Sequence, residues 1–153
     1  MISTKTAMVN IQVNSNLQAS QKMRVLIADD DSASRQLLQV YLGDYGSCST
    51  AASGYKAIQA FKDALNQWQP YDLICLEIIM SEMDGLQVLK EIRRIEKENG
   101  ISKFDSVKVI ITTINNDQKD AKEAFNAGCH AYLIKPILRE KLLEEIRKIG
   151  LIE

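Results

Sequence analysis

Soft metal ligands are scarce in this 153-residue chain: one histidine, His130, and three cysteines, Cys48, Cys75 and Cys129. The cysteines are odd in number and lack metal-ligand spacing, which argues against a zinc module or a disulfide framework. Cys129 and His130 are neighbours, but consecutive residues on an extended strand point to opposite faces, so they do not read as a nucleophile and its base. Small buried hydrophobes are the better reading of the cysteines. A long apolar run is also missing. The nearest approach, residues 71–83, is interrupted by Asp72, Glu77 and Glu82 and cannot span a bilayer. No basic segment followed by an apolar one marks the amino terminus for export. Neither sign of charge dominates: 19 Lys and Arg face 20 Asp and Glu, interspersed, for a net charge of −1. A nucleic-acid or anionic-membrane surface is therefore not expected. Internal repeats are absent. The expectation is a cytoplasmic chain of one domain's length with a substantial single core.

What the chain does have is an alternation of β and α signals from Met23 onward. Residues 1–22 differ from the rest, with few charges and many Asn, Gln, Ser and Thr; Val9, Ile11 and Val13 alternate with Asn10 and Gln12. They are expected to form a flexible extension rather than an edge strand. Residues 23–153 are expected to form one domain, with nothing after Glu153 to serve as an output domain. Helical periodicity predicts helices over residues 32–45, 54–67, 85–98, 117–126 and 138–148. Asp31 or Ser32 offers the first N-cap. Pro70 disfavours helical geometry just before it and ends the second helix. Asn99-Gly100 and Gly128 stop the third and fourth. Five βα units imply an α/β fold, a three-layer α/β/α sandwich around a five-stranded parallel sheet.

Four short apolar runs each end in reactive polar groups. Val25-Leu26-Ile27-Ala28 runs into Asp29-Asp30-Asp31, and Leu73-Ile74-Cys75-Leu76 into Glu77. Val109-Ile110-Ile111-Thr112 leads to Thr113, and Tyr132-Leu133-Ile134 to Lys135-Pro136. Buried parallel strands have this continuous apolar character, and open α/β sheets bind ligands at the carboxyl ends of their strands. An acidic pair, a third carboxylate, a hydroxyl and an amine thus meet at one edge. Oxygen ligands suit a hard divalent cation, and a hydroxyl with an ammonium suits phosphoryl oxygens. Asp31 reads as a cap rather than a ligand.

With Met83-Asp84-Gly85 and Lys135-Pro136 alongside, the chain resembles the receiver domains of two-component response regulators. The resemblance implies the flavodoxin-like strand order 2-1-3-4-5. It implies a Mg2+ site at Asp29, Asp30, the acceptor position Glu77 and the backbone carbonyl of Ile79. It implies a phosphate-reading switch made by Thr113, Tyr132 and Lys135, with a cis peptide before Pro136. Histidine kinases or histidine phosphotransfer proteins would dock on the first helix and the loop after the fifth strand, at Arg35, Leu38, Gln39, Pro136 and Ile137. An effector protein would meet the fourth helix, fifth strand and fifth helix. The implied function is two-component phosphorelay signalling, not enzymatic turnover, by a monomer or weak homodimer.

Three positions depart from the family pattern. Glu77 replaces the phospho-acceptor aspartate, Ser81 the usual proline of the following loop, and Ile114 the small residue after the switch threonine. Glutamate carries its oxygens about one C–C bond (~1.5 Å) further out, and ~1 Å from a near-attack position can cost about 100-fold in rate. Two histories fit: a natural receiver that lost phospho-chemistry, or an engineered phosphomimetic form of a phospho-accepting regulator. Three departures favour the first. A remote alternative is a haloacid-dehalogenase-like phosphohydrolase built on Asp29-Asp30-Asp31, but Ala33 stands where that family has Thr or Val.

Overall fold

The computed structural model describes residues 22–153, so the extension and its Val9, Ile11 and Val13 alternation lie outside the described residues. Five strands, β1 (Met23–Ala28), β2 (Gly46–Ala51), β3 (Leu73–Leu76), β4 (Lys108–Thr113) and β5 (Ala131–Ile134), pair in parallel in the order β2-β1-β3-β4-β5. Five helices alternate with them: α1 (Ser32–Leu42), α2 (Gly54–Asn66), α3 (Gly85–Glu98), α4 (Gln118–Asn126) and α5 (Arg139–Ile149). This is the flavodoxin-like α/β sandwich.

Strand alternation divides the core into two. Leu26 and Ala28, with Ile74, Leu76, Val109 and Ile111, pack on one face against Phe61 of α2 and Leu89 and Ile92 of α3. Val25, Ile27, Leu73, Cys75 and Ile110 pack on the other against Leu38 and Leu42 of α1 and Leu142 and Ile146 of α5. Strands β1, β3 and β4 are buried on both faces, which is why they read as nearly unbroken apolar runs. The first helix is shorter than its periodicity predicts, stopping at Leu42 instead of residue 45. The chain must turn there so that Gly46 can pair with Met23; a Cβ on Gly46 would lie 2.1 Å from the Met23 carbonyl oxygen. Strand β2 accordingly starts two residues earlier than Cys48.

Candidate functional site

Each strand of β1, β3, β4 and β5 delivers one polar residue to the carboxyl edge of the sheet. Asp29 follows β1 and is 1% exposed. Its Oδ2 accepts from Lys135 Nζ at 2.7 Å and its Oδ1 from the Asp31 amide at 2.9 Å. Its own amide donates to Ala51, and its carbonyl accepts from Arg35 Nη1 at 2.8 Å. Asp30 is exposed and makes no hydrogen bond among the described residues. Asp31 is the N-cap of α1, accepting from the Ser34 amide and hydroxyl. Those bonds hold its carboxyl below the usual carboxylate range.

Glu77 follows β3 and is 3% exposed. Its Oε2 accepts from the Ile78 amide at 2.8 Å, while Oε1 stands 3.4 Å from Lys135 Nζ. The Met83-Asp84-Gly85 signal has a structural cause here. Asp84 and Gln87 form a capping box that starts α3. Gly85 lets the helix approach the acceptor strand, because a Cβ there would fall 2.2 Å from the Glu77 carbonyl oxygen. Ile79 lies two residues past Glu77, with its side chain half-exposed.

Thr113 ends β4, fully buried, and its Oγ1 accepts from the Asn115 amide at 3.1 Å. Thr112 points the other way, its hydroxyl buried without a partner. Tyr132 packs its ring against the same core layer as Ile111 and donates its hydroxyl to the Asn115 carbonyl at 2.8 Å. Burial first, then the charges of Asp120 and Glu77, keep that phenol above its ordinary pKa. The Lys135 amide donates to Thr113, and the Lys135–Pro136 bond is cis. Burial alone would lower the Lys135 pKa, but the Asp29 hydrogen bond and the charges of Asp29 and Glu77 outweigh it, and the net direction is up.

Arg35, expected as a docking residue, instead reaches back from α1 to the backbone carbonyl of Asp29. The sequence reading missed one residue of this arrangement. Asn115 joins Thr113, Tyr132 and Asp120. Its only sequence signal is an Asn two residues before an Asp N-cap, an Asx-turn pattern. Cys75 and Cys129 are buried as read, and burial raises their thiol pKa values to about 12 and about 11, whereas Cys48 on the edge strand is only partly buried.

The donor set has the right chemistry for a hard cation, but it is assembled around an ammonium. Both Asp29 oxygens and the Glu77 carboxylate are engaged by Lys135, Asp31 and Ile78. Among the described residues no three acidic, histidine or cysteine side chains converge as a metal site. The arrangement as it stands does not fit Mg2+.

A family model described as the response regulator receiver domain matches residues 25–147. The chain belongs to that family. The receiver is 34% identical over 128 residues to the hybrid signal transduction histidine kinase L of Dictyostelium discoideum, covering 83% of this chain and 7% of that one. It is 28% identical to the chemotaxis protein CheY of Bacillus subtilis, over 82% of this chain and 95% of CheY. Several curated relatives are far longer than the receiver; it spans 26% of the transcriptional regulatory protein ZraR of Salmonella typhimurium. Among solved structures, it matches a chain of the co-crystal of the Saccharomyces cerevisiae phosphotransfer protein Ypd1 with the receiver domain of Ssk1. That match has a TM-score of 0.74 and 28% identity, covering 84% of this chain and 89% of that one. A chain of the CheX-CheY-BeF3-Mg2+ complex from Borrelia burgdorferi gives a TM-score of 0.71 and 25% identity, over 86% of this chain and 90% of that one. Membership leaves the phosphohydrolase alternative without support.

The docking residues expected on the receiver need correction. Leu38 is 2% and Ile137 6% exposed, because both fall on inward positions of the α1 and α5 core. Arg35 is tied to Asp29, and Gln39 is exposed. The apolar side chains that α1 and the α5 start do present are Leu37, Val40 and Leu138. Leu37 lies one position off the buried Leu38 and Leu42 stripe and emerges at the surface. No helix among the described residues is long and apolar enough to cross a membrane.

Proposed function

We propose that this receiver signals through protein contacts, with Glu77 as a permanent charge at the acceptor position and no aspartyl phosphorylation there. The observation that carries the reading is the state of Glu77: buried, one oxygen held by the Ile78 amide, the other facing Lys135. Nucleophilic attack needs a free carboxylate oxygen in line with a phosphodonor. Glu77 offers neither a free oxygen nor an aspartate's placement of one. Ile114 stands exposed beside Thr113 and narrows the approach further. Mg2+ would reach Asp29 and Asp30, with Glu77 and the Ile79 carbonyl as the remaining donors, only after displacing Lys135 from Asp29, so weak binding is the expectation on this reading. The partners on this reading are a histidine kinase or histidine phosphotransfer protein, an effector protein, or both, consistent with the Ypd1 and CheX complexes of the structural neighbours.

Glu77 brings about one negative charge and a planar group in place of a tetrahedral one with about two. Tyr132 already has its ring against the core and its hydroxyl on Asn115, and on this reading that inward setting is the signalling one. Thr113 makes no hydrogen bond to Glu77 among the described residues; its hydroxyl is engaged by Asn115. The combination supports a partial mimic of the phosphorylated state. Ser81 and Ile114 depart together with Glu77, which favours a natural loss of phospho-chemistry over an engineered form. The test is intact-mass spectrometry after incubation with acetyl phosphate and Mg2+. No phosphoryl adduct is expected on the chain, and Glu77→Asp should recover partial labelling. A stoichiometric adduct mapping to Glu77 would sink the reading.

A further inference from the structure

At the opposite end of the sheet, the starts of β4 and β5 and the ends of α3 and α4 enclose an open cavity of about 870 Å3. That is within the range of small-molecule sites. Its charge is one-sided. Lys97 reaches it from the last turn of α3, Lys103 from the loop that follows, and Lys108 from the first residue of β4. None of the three belongs to an ion pair among the described residues. The one carboxylate in the lining, Glu96, is 3% exposed and turned inward. It accepts from Arg93 Nη1 at 2.6 Å and from the Val107 amide at 2.7 Å. Arg93 is fixed in turn by donating to the Gly128 carbonyl at 2.6 Å. Glu96 therefore cancels Arg93 and leaves the three lysines uncompensated.

Helix C-termini carry about half a negative charge each and by themselves disfavour an anion. Here their last carbonyls are already engaged. The Gly100 and Ile101 amides return to Lys97 and Glu96, and those of Gly128 and Cys129 to Phe125 and Ala124. Dipole compensation would account for Lys97 alone, since Lys103 and Lys108 are on no helix. His130 lines the same cavity, and its Nδ1 accepts from the Val109 amide at 3.2 Å, which leaves the ring proton on Nε2. Burial, then the charges of Lys108 and Arg93, hold its pKa below the ordinary value. Phe125 adds a half-exposed aromatic face to the wall.

We propose that this cavity binds a polyphosphate-bearing small molecule, with Lys97, Lys103 and Lys108 on the phosphate oxygens and Phe125 against any organic portion. Ammonium groups serve phosphate as compact point charges, and three lysines lining one cavity from separate segments match a ligand of several charges. The site is separate from Glu77 and Lys135, so its failure would leave the signalling proposal untouched.

His130 is the only histidine in the chain, and its imidazole gives a single NMR reporter beside the lysines. The imidazole signal is followed during titration with Mg2+-free ATP, with pyrophosphate, and with sodium chloride at matched ionic strength. A saturable shift with either phosphate is expected, together with a rise in the His130 pKa as an anion settles beside the imidazole. Lys97→Gln combined with Lys103→Gln should weaken binding at least about tenfold while leaving the remaining spectrum folded. A loss confined to ATP in Phe125→Ala identifies a nucleoside polyphosphate; equal losses or none identify the phosphate chain alone. Shifts that merely follow sodium chloride, or that survive in the double variant, overturn the proposal. Saturation by an acidic peptide with none by ATP or pyrophosphate also overturns it, in favour of a protein docking surface.

Discussion

Lys135 is one cation set against two carboxylates that are both almost fully buried. Removing it leaves Asp29 and Glu77 facing each other without compensation, and breaking a buried pair from one side typically costs about 3–5 kcal/mol. We expect Lys135→Met to lower unfolding stability at neutral pH by about 2–4 kcal/mol on that basis. The pH dependence has a definite sign. The folded pKa of Lys135 is raised above its ordinary 10.5, so its stabilisation is fully present below 10.5 and is lost as pH climbs through the higher folded value. Urea unfolding of both chains across alkaline pH should show the gap closing above 10.5. Equal stability at pH 7, or a gap that stays constant, would show that the ammonium contributes nothing through its charge. At this scale the sequence was informative about Asp29, Glu77, Thr113 and Lys135, because each terminates an apolar strand. Arg35 and Asn115 were not legible. Their roles depend on backbone atoms of other segments, Asp29 for Arg35 and Thr113 for Asn115, and side-chain type alone does not encode such partners.

Helices α2, α3 and α4 end in the same hydrogen-bond pattern, and one of them uses the wrong residue for it. In α3 and α4, Gly100 and Gly128 occupy the left-handed position, with the next amide reaching back five residues in the Schellman manner. In α2 the same bonds run from Trp68 to Leu65 and from Gln69 to Ala64, but the left-handed residue is Trp68, with φ of 57°. Its side chain is 91% exposed, so little packing offsets the steric cost of a Cβ in that region, about 1–2 kcal/mol. Trp68→Gly should therefore stabilise the receiver by about 0.5–1 kcal/mol after the larger chain entropy of glycine is counted. That corresponds to a rise of about 1–3 °C in Tm by calorimetry. An unchanged or lower Tm would mean that Trp68 makes a contribution its exposure hides. Sequence reasoning stopped α2 correctly but for another reason, Pro70. The stops at Gly100 and Gly128 were legible since glycine announces a left-handed turn, whereas tryptophan does not. The end of α1 was misplaced because its apolar period continues to Tyr45, and only the pairing of Gly46 with Met23 cuts it short.

Across the molecule, Lys135, which stands 3.4 Å from Glu77 and donates its amide to the Thr113 carbonyl, joins the site to the face formed by α4, β5 and α5. Thr113 meets Asn115, Asn115 meets Tyr132, and Tyr132 packs on the core layer it shares with Ile111 and Ala124 of α4. A path is not yet a switch; the physical requirement is an element with two arrangements that the charge biases differently. We propose Tyr132 as that element, its ring held inward by one hydrogen bond and by core contact. Lys135 lies closer to Asp29 than to Glu77, 2.7 Å against 3.4 Å, so the glutamate shares the ammonium rather than capturing it. Its bias on the switch is correspondingly smaller than that of a phosphoryl group with about twice the charge. The receiver should populate both arrangements, with the inward one enriched but not exclusive. Comparing the present chain with Glu77→Asp and Glu77→Ala by NMR tests this at two places. Thr113 and Tyr132 resonances of the present chain should fall between those of Glu77→Ala and those of the Glu77→Asp variant bound to beryllofluoride, and affinity for an effector should follow the same order. If the present chain and Glu77→Ala coincide in both readouts, the glutamate is only a silenced acceptor, and the inward setting of Tyr132 owes nothing to its charge.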